Sequence, residues 1–307
     1  MIVDLHTRIW DSLDSLGPAV AEQARRRRPE PWERGTASFD AHETAMAPVS
    51  CGVVHGLHAA ALEARIPHQA VADAVAKSPH TLLGFAGLDP SASSDSLAEL
   101  DEAVSLGMVG VNISPAAAGF HPCATEAMAL YEACERRGLP IYVEAGSRLG
   151  RAAKMEFAQP FMLDEIARSF PELKLIVGGF GDPWPYQTVA LLAKHPSVFC
   201  DVSGMARRPW QLYNALVAAC QAEVINQVLF ASNFPFGHPE KAIVTLYSVN
   251  TLSQGTPLPG IPREQLRGIV ERDALALLGL ANPAKEGEQD PKSSSAFEKV
   301  VIEGAAS

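Results

Sequence analysis

The chain begins with MIVDLHTRIW (residues 1–10), in which an apolar run leads into the polar residues His6, Thr7 and Arg8. Similar apolar runs recur along the sequence. This pattern predicts a short buried strand with His6 and Arg8 at its C-terminal end. Seven further runs are nearly continuous in Val, Ile, Leu and Phe, as is typical of parallel strands buried on both faces. They are CGVVHGL (51–57), LLGFAGL (82–88), MVGVNIS (108–114), PIYVEAG (140–146), KLIVGGFG (174–181), VFCDVSG (198–204) and QVLFASN (227–233).

Helix signals separate these apolar runs. Ser96 and Glu99 match a capping box, and ERRG (135–138), followed by Pro140, is typical of a helix that ends at Gly138. Eight strand–helix units in about 280 residues predict an α/β fold, namely a (β/α)8 TIM barrel, because eight parallel strands close without exposed edges.

Two segments depart from the short-loop pattern. Residues 9–48 form the longest connection, and since they follow the first strand we expect this loop to lie over the C-terminal mouth of the barrel. From residue 282 onward the sequence becomes polar and rich in Pro, Ser, Lys and Glu. This composition predicts a barrel domain over residues 1–281 and a flexible extension over 282–307.

Composition excludes several classes of function. Among 307 residues, 35 are acidic and 25 basic, and the resulting net charge of −10 argues against nucleic acid or an anionic membrane as a partner. The five cysteines lack a C-x-x-C pair, which indicates reduced thiols. There is neither a signal-peptide pattern nor an apolar run long enough to span a bilayer, so we predict a soluble cytoplasmic protein.

Polar side chains follow most of the predicted strands, and in a TIM barrel the strand ends hold the chemistry. As an alternative, these groups can simply bond one another and the loop amides. They are His6, Arg8, His55, His58, Asp89, Asn112, Glu144, Arg148, Asp201, Ser203 and Asn233.

Across residues 1–281 the chain resembles the amidohydrolase-related family, the branch of the amidohydrolase superfamily that includes aminocarboxymuconate-semialdehyde decarboxylase and its hydrolase relatives. The resemblance rests on an ordered series of segments: VDLHTRIW, GFAGLDP, MVGVNISP, LPIYVEAGS, FPELKLIVGGFGDPW, HPSVFCDVSG, VLFASNFPFG and ERDALALLGL. It implies a divalent metal held by His-x-His on the first strand, a His on the fifth, often a His on the sixth, and an Asp on the eighth. The Asp usually also handles the proton of the metal-bound water.

Position by position, most of that ligand set is replaced in this chain. The first His is kept as His6, but Arg8 stands at its partner's place. The fifth-strand His falls at Glu144, the sixth-strand His at Gly179, and the eighth-strand Asp at Asn233.

These replacements weigh against a metal of the family type. A catalytic zinc needs about three protein ligands, whereas His6 and Glu144 supply two and Asn233 offers a weak neutral oxygen. Arg8 would repel a cation between them. We therefore predict a degenerate metal site with no metal or other cofactor, in which Glu144 becomes a partner for the permanent charge of Arg8. A relocated metal site that includes His55 or His58 remains an alternative.

Three functions remain open from the sequence. The chain could be a non-metal binding protein or pseudo-hydrolase with a polar pocket for a small carboxylate, a metal-independent hydrolase or lyase, or a metal enzyme with relocated ligands. The candidate catalytic residues are His6, Glu144 and Asn233, and the candidate ligand-binding residues are Arg8, Asn112 and Arg148. The long first loop and the tail also make a homodimer a reasonable expectation.

Overall fold

The computed structural model describes residues 1–27, 37–92, 95–144 and 151–285, in which eight parallel strands form one sheet. Each strand pairs with its neighbours in chain order. Leu5 N donates to Phe230 O at 3.1 Å and Arg8 N to Phe234 O at 3.0 Å, which joins the last strand to the first. The sheet is therefore a closed TIM barrel, as predicted. Its strands are β1 (Val3–Thr7), β2 (Cys51–His55), β3 (Leu82–Leu88), β4 (Gly110–Ile113), β5 (Ile141–Val143), β6 (Leu175–Val177), β7 (Val198–Asp201) and β8 (Val228–Leu229).

Helices follow the strands and pack against the outside of the barrel or over its ends. Within the described part of the chain they are α1 (Pro18–Arg27), α2 (Phe39–Ala45), α3 (His68–Lys77), α4 (Ser96–Ser105), α5 (Pro115–Ala118), α6 (Thr125–Arg137), α7 (Leu163–Ser169), α8 (Pro185–Lys194), α9 (Pro209–Gln221), α10 (Pro239–Ser248), α11 (Arg263–Glu271) and α12 (Ala274–Leu278).

Two predicted helix ends can be checked in detail. Helix α6 ends at Arg137, and Gly138 adopts the left-handed conformation with φ of 67°, as expected for a C-terminal glycine. The predicted capping box at α4 is wrong by one residue. Asp95 is the N-cap, because its side chain accepts a hydrogen bond from Ala98 N at 2.9 Å, and Ser96 is the first helical residue.

The inside of the barrel has its own apolar core. Alternate strand residues such as Leu5, Val53, Phe85 and Ile176 pack together there. Three side chains of α12, those of Ala274, Leu275 and Leu278, belong to the same cluster, so this helix covers the N-terminal end of the barrel. A larger core lies between the strands and the surrounding helices.

The C-terminal ends of the strands, here called the mouth, are covered by two insertions. In the first loop, Trp10 and Ala37 exchange two backbone hydrogen bonds of 3.0 Å, and the segment after Trp10 carries a 3-10 turn (Leu13–Leu16) and α1. After β2 the chain forms an antiparallel hairpin of Leu57–Ala59 and Ala64–Ile66, which the sequence reading did not anticipate. The described part of the first loop lies over the mouth as predicted, since Leu16 and Val20 pack beside Arg8.

No helix among the described residues is long and apolar enough to cross a membrane. The predicted ligand residue Arg148 and almost all of the predicted extension lie outside the described residues.

Candidate functional site

An ion pair between Arg8 and Glu144 occupies the centre of the mouth. Arg8 follows β1 and Glu144 follows β5, and both residues are buried, with exposed fractions of 4% and 6%. The Arg8 Nη2 atom contacts Glu144 Oε1 directly. Burial lowers the pKa of Arg8 to about 10, which leaves the guanidinium charged at neutral pH. The two opposite charges are therefore buried together.

Two further donors bind the Glu144 carboxylate. Asn112 Nδ2 donates to Oε1 at 2.7 Å, and Ser114 Oγ donates to Oε2 at 2.8 Å. Asn112 Nδ2 also donates to Gly56 O at 2.9 Å, so both of its amide hydrogens are used. Arg8, Asn112 and Ser114 thus satisfy a carboxylate that would be costly to bury alone.

His6 lies beside this pair and is packed between aromatic rings. Its ring stacks on Tyr142 with centroids 4.7 Å apart and planes 7° apart, and it meets His55 edge-on at the same distance. His6 Nε2 is 3.9 Å from Glu144 Oε1. Burial holds the pKa of His6 well below its usual value, and electrostatic interactions with His55 and with the Arg8 guanidinium lower it further. The imidazole is therefore neutral at physiological pH.

His55 is fixed by the backbone. Its Nε2 lies 2.8 Å from Leu5 O, and since a carbonyl only accepts, Nε2 carries the hydrogen. Burial, with the charge of Arg8 as a second cause, lowers the pKa of His55 to about 3. A neutral His55 thus presents Nδ1 only as an acceptor.

A second buried carboxylate, Asp201, is held by backbone amides and by a phenol. Asp201 Oδ1 accepts from Gly179 N at 2.7 Å and Ser203 N at 2.9 Å, and Tyr142 OH donates to Oδ2 at 2.8 Å. Burial raises the pKa of Tyr142 well above its usual value, so the phenol keeps its proton. This network fixes the ring on which His6 stacks.

A third buried carboxylate, Asp4, joins β1 to the segment after β8. Its Oδ1 accepts from Ser232 N at 2.9 Å and from His6 N at 3.3 Å. Burial raises the pKa of Asp4 to about 7. Asp4 is therefore partly protonated near neutral pH.

Asn233 takes the left-handed conformation with φ of 64°, which Asn tolerates better than most residues. Its backbone N–H donates to His6 O at 3.1 Å. Asn233 therefore lies next to His6 at the mouth, on the strand position that the family resemblance assigned to an Asp.

The space around the ion pair is small. A cavity of about 10 Å³ beside Arg8 is lined by apolar side chains, including Leu16 and Val20 of the first loop and Leu57 and Leu62 of the hairpin. A second cavity of about 10 Å³ lies on the Glu144 side. Each has room for about one water molecule. Among the described residues, no group of three or more His, Cys, Asp or Glu side chains is placed to hold a metal ion.

The structure brings most of the predicted site residues together. His6, Arg8, Asn112 and Glu144 are in contact or nearly so, and Asn233 adjoins His6.

Sequence reasoning missed two residues of the site, Tyr142 and Ser114. Tyr142 precedes Glu144 by two positions, and Ser114 follows Asn112 by two. Because side chains two apart on a strand share a face, this spacing was the signal that would have found them.

The chain is similar to known proteins in sequence and in fold. A family model described as Amidohydrolase matches residues 3–280. No curated protein sequence matches the chain.

Several solved structures have the same fold. A TIM-barrel protein from Bordetella bronchiseptica is similar with a TM-score of 0.69 and 19% identity, over 91% of this chain and 99% of that one. A 5-carboxyvanillate decarboxylase from Novosphingobium aromaticivorans, complexed with manganese and 4-hydroxy-3-methoxy-5-nitrobenzoic acid, gives 0.66 and 14% over 91% and 96%. A probable 2-pyrone-4,6-dicarboxylic acid hydrolase from Acinetobacter baumannii, with citric acid bound, gives 0.61 and 16% over 91% and 99%. Since the family model covers the whole barrel from β1 to α12, the chain belongs to the amidohydrolase family.

Proposed function

We propose that this protein is a metal-free member of the amidohydrolase family, which acts by binding a small carboxylate at the mouth of its barrel. One observation carries the proposal. The carboxylate of Glu144 is held by a guanidinium, an amide and a hydroxyl at the place where the family resemblance expects metal ligands. These donors form a carboxylate-binding set.

The donor set does not suit a divalent cation. Arg8 contacts Glu144 Oε1, which is also the oxygen 3.9 Å from His6 Nε2. A cation between His6 and Glu144 would lie against the guanidinium charge and would be repelled. The Glu144 oxygens are already engaged by Asn112 and Ser114, which leaves one imidazole and a neutral Asn233. The proposed function therefore requires no metal ion.

The carboxylate ligand follows from the same donors. An Arg guanidinium can bind a carboxylate through two parallel hydrogen bonds, and Asn112 and Ser114 add neutral donors. In the described conformation Glu144 itself fills this position. A ligand carboxylate therefore has to displace the Glu144 side chain, and the small cavity beside Arg8 has to widen.

A metal-independent hydrolase or lyase is the second candidate, and the position of His6 favours it. Its neutral imidazole lies 3.9 Å from Glu144 Oε1, and the unprotonated ring nitrogen can accept a proton beside a carboxylate bound to Arg8. A relocated metal site has less support. His55 Nε2 is bonded to Leu5 O, and His58 is paired with Glu99 on the outer side of the hairpin.

Metal dependence is tested by metal analysis and thermal unfolding. We expect protein purified without chelator to hold far less than one equivalent of zinc or manganese. Adding either ion should leave the melting temperature unchanged, whereas a native-state site would stabilise by about 2.7 kcal/mol at a hundredfold excess over Kd. A clear rise that disappears in the His6→Ala variant would contradict the proposal.

Carboxylate binding is tested by calorimetric titration with acetate, malonate and citrate. We expect heat from at least one of them with wild type, and none with Arg8→Met. Arg136→Met is the matched control, because Arg136 is largely exposed on α6, where it pairs with Glu132. Equal heats from wild type and Arg8→Met, or none from either, would show that Arg8 serves only as a buried ion-pair residue.

A further inference from the structure

The hairpin of Leu57–Ala59 and Ala64–Ile66 has two different faces. Leu57, Ala59, Ala64 and Ile66 are buried, and three of them line the cavity beside Arg8. The central residues of the two strands, His58 and Arg65, are direct cross-strand partners and so lie on the same, outer face. The hairpin thus separates the Arg8 cavity from a pair of basic side chains.

Glu99, in the first turn of α4, lies against both of these basic side chains. Its Oε1 is 3.4 Å from His58 Nδ1 and 3.7 Å from Arg65 Nη2. The side chains of Glu99 and His58 are only 12% and 13% exposed, so water screens their attraction less than at an open surface. Burial raises the pKa of Glu99, but His58, followed by the charges of His68 and Arg65, lowers it overall, and Glu99 stays ionised. One carboxylate therefore holds both strands of the hairpin.

The hairpin has few other polar attachments. It is a separate two-stranded sheet that does not pair with the barrel strands. Ala60 N donates to Asp89 Oδ2 at 2.9 Å near the tip. At the base Gly56 and Gly87 are packed so closely that a Cβ on Gly87 would lie 2.2 Å from Leu57 N. The base is thus fixed, and the tip is packed against the first loop, where a Cβ on Gly17 would lie 1.9 Å from Leu62 O. Between these two contacts the hairpin is held by apolar packing, by Asp89 and by Glu99, so it can move only together with the first loop.

We propose that this hairpin is a gate over the Arg8–Glu144 site, and that Glu99 acts as its latch by pairing with His58 and Arg65. The gate rests on the proposed function, since it controls entry of a carboxylate to Arg8. With the latch closed, Leu57, Ala59 and Ala64 cover Arg8. When the latch opens, the hairpin swings about the Gly56–Gly87 contact and the cavity beside Arg8 widens toward solvent.

Hydrogen exchange measured by mass spectrometry tests the latch on the full chain. In Glu99→Gln, which keeps the shape and removes the charge, we expect amides of residues 57–66 to exchange about fivefold faster than in wild type. Arg65→Gln should act in the same direction, and because Arg65 is 62% exposed it does not endanger folding. The double variant should add little to either single change, as for two partners of one interaction.

Glu102→Gln is the control, since Glu102 is an exposed carboxylate on the same helix. Hairpin exchange that is unchanged in both latch variants would overturn the gate. So would acceleration spread evenly over all strands, which would mean a general loss of stability. The proposed function is tested by a different measurement, since stoichiometric metal in the purified protein would contradict it. The two results are independent because Glu99 does not contact Glu144.

Discussion

The buried charges of Arg8 and Glu144 compensate each other. Because both side chains are buried, water cannot solvate either charge if its partner is removed. A buried ion pair adds little stability over a well-packed apolar pair, but removal of one member leaves the other uncompensated. The site is thus more sensitive to single substitutions than to paired ones.

Replacement of Arg8 by Met should therefore lower the free energy of unfolding by about 3 to 5 kcal/mol, as measured by urea denaturation. The double variant Arg8→Met/Glu144→Leu should regain most of that loss. Arg136→Met, at an exposed ion pair, should change stability by less than about 0.5 kcal/mol. A double variant as unstable as the sum of its single changes would contradict this account.

Asp4 should leave a signature in the pH dependence of stability. Its pKa is about 7 in the folded protein against 3.8 as the ordinary value. Between about pH 4 and 7 the folded state therefore keeps a proton that the unfolded chain releases. The stabilisation that results from this proton is complete below about pH 4 and is lost as the pH rises through 7. The loss amounts to roughly 1.4 kcal/mol for each pH unit crossed.

Asp4→Asn should remove that part of the slope in urea denaturation between about pH 4 and 7. The exposed Asp11→Asn is the control. Asp201, whose pKa is also raised by burial, is present in both variants, and its charge is one cause of the raised pKa of Asp4. Identical slopes in the two variants would mean that Asp4 is ionised when the protein is folded.

At the scale of elements, β1 departs from simple alternation. Its pairing with β2 runs Val3–Cys51, Asp4–Gly52 and Thr7–Val54, so an extra residue is accommodated between Asp4 and Thr7. Such a bulge bends the strand and re-aims side chains, and bulges are frequent next to functional sites. Here it occurs between Asp4 and Thr7, in the stretch that contains His6, which packs on Tyr142 and His55.

Helix α12 is the element that completes the inner core. Leu275 is 1% exposed and packs with the inward side chains of the strands, whereas Leu277 is 37% exposed. Leu275→Ala should cost about 2 to 5 kcal/mol in urea denaturation, and Leu277→Ala less than about 1 kcal/mol. Equal losses in the two variants would show that α12 does not cover the barrel end as described.

At the scale of the whole molecule, all eight strands and α12 precede residue 282. A chain that ends after Lys285 should therefore unfold with the same midpoint in urea as the full chain, within experimental error. A chain that ends after Asp273, and so lacks α12, should lose cooperative unfolding because the N-terminal end of the barrel is uncovered. A lower midpoint for the first truncation would mean that residues 286–307 stabilise the barrel.

The sequence by itself determined the barrel and the chemical character of its site. Eight apolar runs indicated eight strands, because burial on both faces of a parallel sheet is a property of each strand alone. The replacement of expected ligands by Arg8, Glu144, Gly179 and Asn233 is likewise visible residue by residue, and their positions at strand ends placed most of them near the mouth.

Only the tertiary structure decided which of these groups bind one another. Glu144 is bonded by residues 30 to 136 positions away, and Asp4 accepts from Ser232 across 228 positions. The hairpin, the bulge in β1 and the small cavities over Arg8 also arise from contacts between distant segments. Apolar periodicity records the burial of each residue, but a hydrogen bond requires a distance and an angle between two atoms, and these exist only once the barrel has closed.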